Sequence, residues 1–93
     1  MNPYMVVATF KPGTHMPDVF AVVAEEQARV AELEAEGRVG AIYLATARRT
    51  VFLEVFADTD EDAVATAQSL PMSQWWDLDV FALNAPVAPG AAR

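Results

Sequence analysis

One glutamate occupies a position where helical periodicity calls for an apolar residue. Between Pro17 and Glu36 the residues recur with a helical period. With Val19 at the origin and about 100° per residue, Val23, Val30 and Leu33 fall within about 40° of one another's common face. Glu26 falls about 20° from the same origin, whereas Glu25, Glu32 and Glu36 lie about 100° or more away and Glu34 sits at the edge of the stripe, near about 60°. A carboxylate turned toward a core loses hydration, which disfavours its charged form and raises its pKa toward the range in which one group can take a proton and return it near neutral pH. Glu26 is therefore the first candidate for a general base. The structural alternative is an ion pair with Arg48 or Arg49, or a helix rotation that carries the carboxylate to the rim.

Other residues could complete such a site. His15 precedes the helix, where an imidazole titrates in a useful range, although a loop histidine is commonly a solvated or capping residue. Tyr43 lies within a strand and could offer its hydroxyl to a developing oxyanion; the alternative is a core tyrosine with a wet tip. His15 and Tyr43 are thus the candidate catalytic partners of Glu26. Trp75, Trp76 and Phe52 supply flat apolar surface and are the candidate substrate-binding residues, the tryptophan pair serving equally well as interface filler. Arg48 and Arg49 sit in a turn, where solvation is the default. Asp77 and Asp79 share a strand face but lack further ligands for a metal. With no cysteine and one histidine, the chain offers no disulfide, no thiol nucleophile and no two-histidine metal site. Neither a cofactor nor a metal is expected.

Six elements must position these groups. Tyr4 to Phe10 is β-branched and aromatic and ends at Lys11-Pro-Gly-Thr14, as a first strand does. His15-Met16-Pro17-Asp18 opens a helix that runs to Glu36 and stops at Gly37. Val39 to Ala45 and Val51 to Phe56 read as a hairpin about the turn Ala47-Arg48-Arg49-Thr50. Thr59-Asp-Glu-Asp62 resembles a capping box at the head of a second helix, which Pro71 terminates. Met72 to Trp76 is a connecting loop, and Leu78 to Leu83 the last strand. The order βαββαβ implies a ferredoxin-like α+β fold, a four-stranded antiparallel sheet with two helices on one face. The expectation is a single domain over residues 1–85 with an Ala/Pro-rich tail over 86–93.

The 93 residues are 54% hydrophobic, a large share for a chain with so little interior. The strands show where the excess lies. Val51, Leu53 and Val55 alternate with Phe52 and Phe56, Tyr4, Val6, Ala8 and Phe10 with Met5 and Val7, and Leu78, Val80 and Ala82 with Phe81 and Leu83. Both sheet faces are apolar, and two helices cover only one, so a homodimer packed sheet against sheet is expected. Six basic residues against thirteen acidic ones leave a net charge of −7, which repels phosphate backbones and anionic lipid. No nucleic acid and no membrane is expected as a partner; the expected partner is a small-molecule substrate. No run of about 18 apolar residues is present, and Tyr4 to Phe10 has no Lys or Arg before it, unlike a secretory signal. A cytoplasmic location is expected.

His15-Met16-Pro17 before a Glu-bearing helix, Glu32-Leu33 to the closing Gly37, and Leu70-Pro71-Met-Ser-Gln-Trp-Trp-Asp-Leu-Asp-Val80 together resemble the muconolactone delta-isomerase family of dimeric α/β-barrel proteins. The resemblance covers nearly the whole chain. It implies a ferredoxin-like dimer, assembled further into rings, and a pocket between helices and sheet where a small unsaturated lactone or related ring undergoes proton transfer. By the match around Gly37, Glu26 is similar to a family glutamate that serves as a plausible base. Where the family tends to carry a His and an Arg in the second strand, this chain has Ala41-Ile42-Tyr43-Leu44, which leaves a substrate carboxylate without a cationic partner. An uncharged polycyclic or phenolic substrate fits that lining better than muconolactone does.

Three functions compete at this point: a cofactor-independent isomerase or cyclase acting through Glu26, a cofactor-free monooxygenase of the dimeric α/β-barrel kind, and a non-catalytic binding or assembly module. Oxygen consumption separates the first two, and the response of tryptophan fluorescence to small aromatic ligands separates both from the third.

Overall fold

The computed structural model describes residues 1–84, so the tail expected over 86–93 lies outside the described residues. The chain forms strand β1 (Asn2–Phe10), helices α1 (Met16–Phe20) and α2 (Val23–Ala35), strands β2 (Val39–Ala45) and β3 (Thr50–Ala57), helix α3 (Asp60–Gln68) and strand β4 (Trp76–Ala82). Short 3-10 turns over Thr46–Arg48 and Pro71–Trp75 lead into β3 and β4. All neighbouring strands are antiparallel, in the order β2-β3-β1-β4. This is the ferredoxin-like arrangement. Helix α3 crosses β1, β3 and β4, while α2 lies over β2 and against the turn Pro71–Trp75.

Where the sequence implies one helix from Pro17 to Glu36, the structure has two. The chain leaves α geometry at Val22, with φ −108° and ψ 10°. Val22 and Val23 are adjacent β-branched residues, which lose side-chain freedom in a helix and favour a break there. The break lets Val19 turn into the core at 2% exposure without dictating the phase of α2. The far end of α2 closes as expected: Gly37, at φ 73°, accepts the left-handed conformation, and the Arg38 and Gly37 N–H groups reach back to the Leu33 and Glu34 carbonyls. At the head of α3 the Thr59 hydroxyl accepts from the Asp62 N–H at 3.1 Å.

The core lies between the helices and one face of the sheet. Val6, Ala8, Leu33, Val55 and Ala63 are fully enclosed, joined by Leu53, Ala67, Leu70 and Trp76. Pairing of Val6 with Leu53 and Val80, and of Phe10 with Trp76, aligns the inward residues of three strands. Strand β2 carries a bulge. Val39 pairs with Val55 but Ile42 with Leu53, so Gly40 and Ala41 together oppose Glu54. The Glu54 carboxylate accepts from the Ala41 N–H at 3.0 Å, and a β-carbon at Gly40 would collide with that carboxylate and with the Phe56 ring. The extra residue reverses the alternation beyond it: Ile42 and Leu44 fall on the helix-facing side, Leu44 near the strand end and 72% exposed, and Tyr43, paired with Phe52, falls on the outer side.

Candidate functional site

Between α2, the paired ends of β2 and β3, and the turn entering β4, the structure encloses an open cavity of about 500 Å³. Helix α2 contributes Val23, Glu26, Gln27, Val30 and Glu34. The sheet contributes Ile42, Leu44, Val51 and Leu53, and the chain entering β4 contributes Met72 and Trp76. The volume falls within the roughly 300–1,000 Å³ of small-molecule sites, which are characteristically apolar with few polar groups.

Glu26 is placed by its relation to Leu33. The two are one heptad apart on α2, hence about 20° apart around the helix, and Leu33 is fully buried. The Glu26 side chain is half-buried, and its Oε1 accepts from the Met72 N–H at 2.9 Å. That N–H lies in the first turn of the 3-10 segment, where Leu70 offers no side-chain cap and Pro71 no N–H, so α2 provides the cap from across the fold. Burial raises the Glu26 pKa above the ordinary carboxylate value and the Met72 N–H draws it back; burial is the larger effect and the net direction is upward. No hydrogen-bond partner meets Oε2 among the described residues, and no arginine pairs with Glu26 there. One oxygen is anchored. The other accepts no hydrogen bond from the described residues.

The remaining sequence candidates are distributed differently. Trp76 lines the cavity, 5% exposed, its ring edge-to-face with Phe10 at 6.1 Å between centroids, and its indole N–H has no partner among the described residues. His15 is exposed at the start of α1, with Nδ1 3.3 Å from Asp18 Oδ2. Tyr43, 62% exposed, and Phe52 lie on the outer sheet face. Trp75 ends the 3-10 turn, its carbonyl accepting from the Lys11 N–H. None of these four lines the cavity. Arg49 donates to the Thr14 carbonyl at 3.4 Å and lies near Met16 Sδ at 3.5 Å, lining a smaller cavity that shares Leu44 and Val51 with the first. Among the described residues no three His, Cys, Asp or Glu side chains are grouped to hold a metal, and no helix is long and apolar enough to cross a membrane. Sequence reasoning passed over Glu34, Gln27 and Met72. The place of Glu34 at the stripe's edge was a usable signal; nothing local marks the Met72 N–H.

A model of the muconolactone delta-isomerase family matches residues 3–87. The chain belongs to that family. No curated protein matches it. Membership in the muconolactone delta-isomerase family points to a small isomerase-type enzyme, and this member lines its cavity with two carboxylates of α2, Glu26 and Glu34. Strand β2, where the resemblance leads one to expect a His and an Arg, gives the cavity Ile42 and Leu44.

Proposed function

We propose that the protein is a cofactor-independent isomerase or cyclase in which Glu26 transfers a proton within a carbonyl-bearing ring compound. The supporting observation is a half-buried carboxylate lining an apolar cavity, anchored through one oxygen and without a hydrogen-bond partner among the described residues at the other. The Glu26 carboxylate takes the proton from the carbon between the carbonyl and a ring double bond, and the electron pair moves onto the carbonyl oxygen to form a dienolate. The resulting carboxylic acid returns the proton to the far carbon of the conjugated system. Nothing is oxidised or reduced. An apolar wall keeps water from competing for the proton and strengthens each remaining electrostatic contact.

Trp76 is the proposed binding surface for the ring. Tyr43, His15, Trp75 and Phe52 do not line the cavity, so no contact with the enolate oxygen is assigned to them; Tyr43 and Phe52, on the outer sheet face, are proposed to be covered by the second sheet of a homodimer. Met5, Val7, Phe56 and Phe81, the last 55% exposed, extend the same apolar surface.

α-Angelica lactone, a neutral β,γ-unsaturated ring, is a suitable probe. The protein should convert it to the conjugated isomer without consuming oxygen, and Glu26→Gln should lower the rate by about 10²- to 10⁴-fold, the usual contribution of a general base. Unchanged turnover in Glu26→Gln would remove Glu26 from the mechanism, and stoichiometric oxygen uptake would favour a monooxygenase.

A further inference from the structure

We propose that the cavity selects against anions and that its ligand is a neutral fused-ring compound, with Glu34 the specificity-determining residue at the end remote from the anchored Glu26 oxygen. The inference deepens the reading of Glu26 as the proton-transfer base and rests on it for the position of the reacting carbon.

Charge comes first. Glu26 and Glu34 line the cavity, and no basic side chain does. They stand eight residues apart on α2, about 12 Å along the axis, Glu26 half-buried within the space and Glu34 exposed at its rim. Between them the strand walls Ile42, Leu44, Val51 and Leu53 offer an anionic group neither a hydrogen bond nor a countercharge, and the donors that remain in the lining, the Gln27 amide and the unpartnered Trp76 indole N–H, are neutral and bring no countercharge. A ligand carboxylate placed there would be desolvated beside one like charge or the other. Arg49 lines the smaller cavity of about 160 Å³ that shares Leu44 and Val51 with the first, and there the guanidinium is held by the Thr14 carbonyl and the Met16 sulfur. Size comes second. A space of about 500 Å³ is in the range that holds drug-sized ligands and leaves room for more than the single ring of the lactone probe. A neutral compound with an acidic C–H or phenolic O–H meets both conditions and suits the base as well: it fills the apolar walls, brings no charge to Glu34, and gives Glu26 a proton.

Calorimetric titration of the full chain at neutral pH with β-naphthol and β-naphthoate, the same fused ring carried once as a neutral and once as an anionic compound, tests this by binding rather than turnover. β-Naphthol should bind at least about tenfold more tightly than β-naphthoate. Glu34→Gln should narrow the gap about threefold by improving β-naphthoate alone, as removal of one partly screened charge would. Equal or tighter binding of β-naphthoate overturns the proposal, and loss of that binding in Arg49→Asn would assign the anion to Arg49 instead. Failure of both probes to bind overturns the fused-ring assignment while leaving the Glu26 mechanism to stand or fall on lactone turnover.

Discussion

Glu26 does two jobs whose demands on the carboxylate oppose each other. Capping the Pro71–Trp75 turn through the Met72 N–H favours the charged form, while its half-buried place favours the neutral one, and burial prevails. A carboxyl whose folded-state pKa is raised contributes stability below its ordinary pKa and loses that contribution as pH rises through the folded value. Glu26→Gln, which keeps an acceptor for Met72 but does not titrate, should therefore gain stability relative to the parent as pH rises across and just above the carboxylate range, and hold a constant advantage at neutral pH. Denaturant midpoints at several pH values check this, and a pH-independent difference would mean that Glu26 does not titrate abnormally. The position of Glu26 was legible in the sequence because Leu33, one heptad on, defines the same face. Its partner was not, because the Met72 N–H is a backbone group brought across the fold by packing, and no side-chain pattern records it.

At the scale of elements, alternation and punctuation were enough to place four strands, the Gly37 stop and the Thr59 cap. Two features escaped a local reading. The break at Val22 divides what periodicity presents as one helix, and the bulge in β2 is stabilised by Glu54 from the neighbouring strand, a contact absent from any window on β2 alone. The bulge decides the site: it turns Ile42 and Leu44 to the helix-facing side and sends Tyr43 to the outer face, so strict alternation from Val39 would misplace all three. Gly40→Ala should displace the Glu54 carboxylate from the Ala41 N–H and destabilise the protein by about 1–2 kcal/mol, the range for a partly buried hydrogen bond lost together with a steric conflict. Chemical denaturation measures it, and no change in midpoint would show that the bulge relaxes freely.

The whole molecule carries the composition's surplus on its outer sheet face. Tyr43, Phe52, Phe56 and Phe81 lie there beside Glu54 and Asp79, and each chain has a net charge of −7. Two such faces attract by apolar burial and repel by charge, so sheet-to-sheet dimerisation should tighten as salt rises toward the point where the Debye length is about 8 Å. Sedimentation at micromolar concentration in low and physiological salt checks this; a monomer in both would require another explanation for the apolar face. The catalytic claim rests on less surface and admits a sharper test. Deuterium uptake from D₂O into α-angelica lactone should rise with pH along a single step whose midpoint lies above the ordinary glutamate value, and should fall by about 10²- to 10⁴-fold in Glu26→Gln. Exchange in Glu26→Gln that follows the parent's profile would contradict the assignment of Glu26 as the base.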